Sequence, residues 1–291
     1  MAKKAKKNND MAEPVEVSKT AAIIMTIVFI ILAVIFLFPI LLVLMNSFKN
    51  KLYISEQPFS LPGGETFAGL SNYIGGLAKT GFFSAALNSA IITILAVILI
   101  VVLTSMTAWW LTRVKSKFSS VLYYLFVFAM IVPFQMVMFT LSKVTDMLNL
   151  GNPIGIVIVY VRFGAGQAVF MFAGFVKSIP ISLEEAAMLD GCTPIQTFFL
   201  VVFPILKPTA ITVAILNAMW VWNDYLLPLL VLKSDYQTIP IAVQYLKGGY
   251  GSVDMGAMMG MLVLAIVPIV VVYLLCQKHI IKGVAAGAVK G

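Results

Sequence analysis

Few side chains in this sequence could do chemistry, and most of those are gathered in residues 178–208, SIPISLEEAAMLDGCTPIQTFFLVVFPILKP. Glu184, Glu185 and Asp190 place three carboxylates on about two helical turns. Leu183, Ala186 and Ala187 lie among them and add apolar surface that should not face water alone. The acids therefore read as contacts for a partner rather than as a solvated face. Within the long apolar runs the only Asp, Glu, Lys or Arg residues are Arg162 and Asp224. His279 has no second imidazole and Cys192 and Cys276 stand apart, so no metal site is expected. The sequence lacks Gly-x-x-x-x-Gly-Lys-Ser/Thr, His-Glu-x-x-His and Gly-x-Ser-x-Gly. The chain is thus expected to hold no cofactor, to perform no catalysis and to hydrolyse no ATP itself; the acidic stretch could couple it to a protein that does.

The elements that position these residues can be read locally. Ser182 and Glu185 have the spacing of a capping box, which predicts the start of a short helix. Gly191 then lets the backbone turn out of that helix. Thr193 caps a second helix, with Pro194 at its first position and Gln196 completing another capping box. Pro204 and Pro208 are expected to bound the exit. The stretch reads as helix, bend, helix.

The surroundings are those of a membrane. Of 291 residues, 61% are hydrophobic and 11% charged, against about 25% charged in an ordinary soluble domain. Six apolar runs, 21–45, 84–112, 118–142, 153–176, 208–232 and 256–277, each exceed the roughly 20 residues that cross a hydrocarbon core as a helix. They lack the alternation of a barrel, so the fold class is all-α, a six-span polytopic membrane protein. Pro133 is expected to kink the third run. With the N-terminus inside, inner segments hold thirteen Lys and Arg and outer loops six, which predicts both termini in the cytoplasm of a cell-membrane protein. The net charge of +8 then reflects orientation rather than nucleic-acid binding. Residues 1–20, with Lys3, Lys4, Lys6 and Lys7, are expected to be a cytoplasmic tail and not a cleaved leader, because the apolar run that follows is too long. The membrane domain then covers 21–281, and 282–291 form a second cytoplasmic tail. The loop at 46–83 is either a contact for an extracellular partner or a simple connection.

Glu185-Ala186-Ala187, three residues, Gly191, nine residues, then Val201-Val202-Phe203-Pro204 resembles the EAA loop of ABC importer permeases, with Val201 for the usual Ile and Phe203 for the usual Leu. Trp222-Asn223-Asp224-Tyr225-Leu226-Leu227-Pro228-Leu229-Leu230 resembles a segment of the carbohydrate-uptake branch, the maltose-permease-like proteins. So does the ending Lys282-Gly283-Val284-Ala285-Ala286-Gly287-Ala288-Val289-Lys290-Gly291. The first span and the 46–83 loop match only loosely. The resemblance implies a type I ABC importer permease fold and transport of a sugar by alternating access. It also implies a second, distinct permease, two ABC ATPase subunits at the loop, an extracellular sugar-binding protein, and surrounding lipid. Glu184, Glu185, Ala186, Ala187, Asp190, Gly191 and Pro204 would form the coupling loop. The rival readings are a secondary transporter, for which no internal repeat is found, and a membrane-embedded enzyme, for which no catalytic set is found.

Trp222, Asn223 and Tyr225 combine ring faces with hydrogen-bonding groups suited to a sugar, Asn223 being the best candidate to line a passage; Trp220 and Trp222 fit an aromatic belt equally well. Arg162 and Asp224 lie at matching depths, about 13 and 12 Å from the outer ends of their runs by the helical rise, so an ion pair is expected. The alternative has Gly164 and Gly166 breaking the fourth span so that Arg162 snorkels to the surface, with Asp224 on a wet passage.

Overall fold

The computed structural model describes residues 18–246 and 253–288, with side chains through Gln277. The expected tail before Ser18, the Gly248–Gly251 run, and the side chains of His279 and of the 282–291 tail lie outside this description. Among the described residues there is no strand, only an isolated bridge between Lys49 and Phe67.

Helix α1, Lys19–Asn46, is apolar on every side, and residues 22–40 are all exposed. It touches the rest of the molecule near its end, where the chain enters a small folded loop of α2 (Lys51–Glu56), a 3₁₀ turn and α3 (Ser71–Thr80). Lys49 organises this loop. Its side chain is fully buried, and its Nζ donates to the Gln57 carbonyl at 2.8 Å and to Ser60 Oγ at 3.3 Å. Burial pushes this amine below its usual pKa. Asn72 Nδ2 closes the loop from α3, donating to the carbonyls of Ser47 and Lys49. The segment is therefore folded within itself.

The core is built on α4 (Phe82–Arg113). The third apolar run, expected as one kinked span, is instead two helices, α5 (Lys117–Ile131) and α6 (Phe134–Met147), meeting at 103° across Val132-Pro133. Proline disfavours helical geometry in its predecessor, and here Val132 is extended at ψ 117°, so the break is sharper than a kink. Helix α7, Pro153–Val176, starts from the Asn152 side-chain cap and runs unbroken through Gly164 and Gly166. It packs along α4, with Ile92, Ala96, Ile100 and Ala108 facing Ile156, Tyr160, Ala168, Val169 and Phe172. Small residues at such a contact let two backbones approach where lipid gives no hydrophobic drive.

Three short pieces and one long one follow α7: α8 (Ile181–Leu189), α9 (Pro194–Thr197), a π-turn at Phe198–Val202, and α10 (Phe203–Asn223). From Pro194 to Asn223 the helix is continuous. The helix that carries the fifth apolar run thus covers 194–223 rather than 208–232, and Pro204 and Pro208 lie within it rather than at an exit. The π-turn explains the tolerance: Phe203 N–H bonds back to the Phe198 carbonyl, which carries the ladder past the missing N–H of Pro204. The chain breaks at Asp224 and resumes in α11 (Leu226–Val231) and α12 (Ile239–Tyr245). Helix α13, Met255–Ala288, is the last span, and its backbone stays helical into the stretch expected as a tail. Lys79 of α3 pairs with Asp254 at its start and holds that carboxyl below the usual range. Among the described residues five helices are long and apolar enough to cross a membrane, six if the bent α5–α6 pair is counted as one span.

A Cβ added at Gly166 would lie 2.8 Å from the Phe126 carbonyl oxygen of α5, whereas one at Gly174 meets nothing within 4 Å. Gly166→Ala should therefore destabilise the chain by about 1–3 kcal/mol through overpacking. Gly174→Ala should be neutral, and thermal unfolding of both variants in detergent reads the difference.

Candidate functional site

Helix α8 starts two residues earlier than expected. Pro180 is its N-cap and makes no side-chain cap bond, while Leu183 N–H bonds to the Pro180 carbonyl. Ser182 is thus inside the helix, and the Ser182–Glu185 capping box does not form. Pro180 itself stays extended at ψ 130°, and its carbonyl accepts the first bond of the helix. At the other end Gly191 takes φ +90°. Cys192 N–H bonds to the Ala187 carbonyl and Gly191 N–H to that of Met188, the paired bonds of a Schellman cap. The second capping box forms as expected. Thr193 N–H donates to Gln196 Oε1 at 2.8 Å, and Gln196 N–H donates to Thr193 Oγ1 at 3.4 Å.

The three acids of this stretch do different things. Glu185 and Asp190 are exposed, but Glu184 is 5% exposed and faces inward with Ala187. Its Oε1 accepts from Arg113 Nε at 2.9 Å and Nη2 at 2.7 Å, and its Oε2 accepts from Trp109 Nε1 at 2.9 Å. Arg113 Nη2 also donates to the Ile179 carbonyl at 2.9 Å, just before α8. The Trp109 ring lies against Phe198 of the π-turn, centroids 5.4 Å apart. One turn of α4 therefore holds both sides of the Gly191 bend. Removing one partner of such a buried pair costs about 3–5 kcal/mol because the other charge is left unpaired. Sequence reasoning grouped Glu184 with the outward acids and missed Trp109 and Arg113. The available signal was the three-residue spacing that puts Glu184 and Ala187 on one face. With these turned inward, α8 shows outward Ile181, Leu183, Glu185, Ala186, Met188 and Leu189, the last 89% exposed.

Within the membrane the expected Arg162–Asp224 pair is absent. Asp224 caps α11 instead: Oδ1 accepts from the N–H groups of Leu226 at 3.1 Å and Leu227 at 3.4 Å, and Oδ2 accepts from Tyr160 OH at 3.1 Å. Tyr160 is fully buried and meets the Trp220 ring edge-on at 5.3 Å. Arg162 lies two residues further along α7, a turn of about 200°, which puts it on the opposite side. There its guanidinium sits 4.3 Å from the Phe163 ring centroid. It lines a cavity of about 430 Å³ between α4, α5 and α7, with Thr104 and Thr107. The ion pairs among the described residues are Arg113–Glu184 and Lys79–Asp254. The alternative, a fourth span broken at Gly164 and Gly166, also fails, because both glycines are close-packing points in a continuous helix. Of the remaining candidates, Asn223 is exposed and Tyr225 half-buried. Trp222 donates to the Ala265 carbonyl of α13 at 3.3 Å and walls an apolar cavity of about 500 Å³. Among the described residues no three His, Cys, Asp or Glu side chains gather as a metal site.

Residues 100–286 match the family described as binding-protein-dependent transport system inner membrane component. The chain is 38% identical over 268 residues to the probable starch degradation products transport system permease protein AmyC of Thermoanaerobacterium thermosulfurigenes, covering 92% of this chain and 96% of that one. It is 36% identical to the multiple sugar-binding transport system permease protein MsmG of Streptococcus mutans, covering 88% and 93%. In fold it resembles a crystal structure of a bacterial ABC transporter involved in import of the acidic polysaccharide alginate, at TM-score 0.73 and 24% identity, covering 88% and 95%. A second structure, of a bacterial alginate ABC transporter in complex with an alginate pentasaccharide-bound periplasmic protein, matches at TM-score 0.62 and 17% identity, covering 90% and 92%.

The observed partners make two expectations for the purified chain. Tyr160→Phe removes a donor to a half-buried carboxylate and should lower stability by about 1.5–3 kcal/mol. Arg162→Asp and Asp224→Arg should do damage that adds, within about 0.5 kcal/mol. Thermal midpoints of the two single variants and the double variant check this, and recovery in the double would argue for direct pairing.

Proposed function

The chain belongs to the family of binding-protein-dependent transport inner-membrane components, and from that premise we propose that it carries an oligosaccharide across the cytoplasmic membrane, with α8 as the seat of an ATPase subunit. Membership makes it a multi-pass permease subunit of an ABC importer served by a binding protein, and not itself an enzyme. A sugar cargo is supported by relatives named for starch degradation products and for multiple sugars. The permease partner is a second, distinct chain, and two ATPase subunits bind from the cytoplasm. The excess of Lys and Arg in one set of loops supports placing α8 and both termini on that side.

The observation that carries the docking assignment is the outward face of α8. It offers Leu183, Ala186, Met188 and Leu189 beside Glu185 and Asp190, on a short helix fixed at both ends. Apolar knobs ringed by acids suit a groove with a basic rim. Driven together by ATP, the ATPase subunits would move α8 and switch the bundle between inward-open and outward-open states. Asn223, at the end of α10, is the residue assigned to the sugar passage, with Tyr225 beside it. Asp224 shapes the helix break that presents them.

The overall test is to purify the tagged chain gently, identify the ATPase and permease that accompany it, and measure sugar-stimulated ATP hydrolysis in liposomes with the binding protein. Hydrolysis that ignores sugar would sink the reading. Within that assay Gly191→Val should abolish transport while the protein still inserts, because a branched residue opposes φ +90°. Wild-type transport by this variant would show that the bend is dispensable. Glu185→Lys should reduce recovery of the ATPase in pull-downs, and unchanged stoichiometry would remove Glu185 from the contact.

A further inference from the structure

Helix α4 is tied by side chains at both of its ends to segments that are remote in sequence. At one end Trp109 and Arg113 hold Glu184 of α8 and the carbonyl of Ile179. At the other, buried Ser89 Oγ accepts the N–H of Ile239, the first residue of α12, at 2.9 Å. Asn88 Nδ2 donates to the Gln237 carbonyl at 3.1 Å. Between Ser89 and Arg113 the helix is uninterrupted and free of proline, about 36 Å by the helical rise. Its interior hydroxyls bond back to its own carbonyls, Thr104 to Ile100 and Thr112 to Ala108, so none of these is left to be satisfied by another helix.

Chain connectivity alone would send a movement of α8 into α7 or α9. Both junctions are turns: residues 177–180 on one side, Gly191 to Thr193 on the other. The contact with α4 is stiffer. Glu184 lies in the middle of α8 and receives three donors from two residues one turn apart, and its burial makes separation from them costly. A shift of α8 therefore carries the end of α4 with it.

We propose that α4 is the rod through which α8 and α12 sense one another, with Trp109 and Arg113 as positioning residues at one end and Asn88 and Ser89 at the other. The inference rests on α8 being the ATPase seat. It adds that the movement crosses the membrane in α4 and emerges at α12, on the face opposite the ATPases, where a binding protein would arrive.

The test uses the assembled transporter in liposomes and reads sugar moved per ATP hydrolysed. Trp109→Phe keeps an aromatic ring and deletes the donor to Glu184; Ser89→Ala deletes the acceptor for Ile239. Each should lower the ratio, taken per ATPase recovered, by about tenfold, within the range found for residues on a coupling route. Residues this far apart ordinarily act independently. If both ends serve one rod, the double variant should be no worse than the more severe single one. A wild-type ratio in either single variant, or a double variant whose loss is the product of the two, overturns the proposal. Glu184→Gln separates the remaining possibility: loss of ATPase binding with a normal ratio in Trp109→Phe would make Glu184 a docking acid. If no ATPase is recovered even with the unaltered chain, it is the docking assignment that fails.

Discussion

The carboxylate of Glu184 sits where a charge survives only in company. With 5% of its surface exposed, it depends on the guanidinium and indole that α4 brings to it. That requirement fixes the rotation of α8 about its own axis. Once Glu184 and Ala187 face inward, Glu185, Ala186 and Leu189 have to face out, since successive residues turn by about 100°. It also fixes the place of the bend, because Phe198 beyond Gly191 rests on the same Trp109 ring. The surface offered to a partner is in this sense the back of a buried ion pair.

A similar division of labour runs along α7. The side bearing Tyr160 meets α10 and the Asp224 break, where a carboxylate substitutes for the carbonyl ladder that the chain has interrupted. The side bearing Arg162 opens on a cavity between α4 and α5. Asp224 thus has a structural task in shaping the break, while Arg162 meets an aromatic face rather than an acid.

Much of this was legible in the sequence wherever the determinant was local. The Gly191 turn and the Thr193–Gln196 box each depend on neighbours within a few residues, and each is present; four of the six apolar runs lie in single helices, while the third breaks at Pro133 and the fifth at Asp224. The start of α8 went to Pro180 rather than Ser182 because two local signals competed and the rigid one won. The sharpness of the Pro133 break and the passage of the helix through Pro204 depend on what packs around them and on a π-turn that no residue type announces. The partner of Glu184 is 71 residues away, beyond any window of pattern reading. The Arg162–Asp224 expectation erred more instructively. Matching depth does not set direction around a helix: two residues turn the chain by about 200°, and Tyr160 rather than Arg162 points at Asp224.

That long separation also has a meaning in time. As the chain is made, α4 is complete well before the ribosome reaches Glu184, so Arg113 is at first a cation without its carboxylate. It is then one of a trio with Lys115 and Lys117 at the end of a nascent span, the kind of cluster that keeps such an end from being translocated. Glu184 follows α7 in the sequence, so it can claim Arg113 only after that helix has been made. The same guanidinium would act first as a topology signal during insertion and later as the anchor of the finished loop. Replacing it by a neutral residue would thus disturb biogenesis as well as architecture.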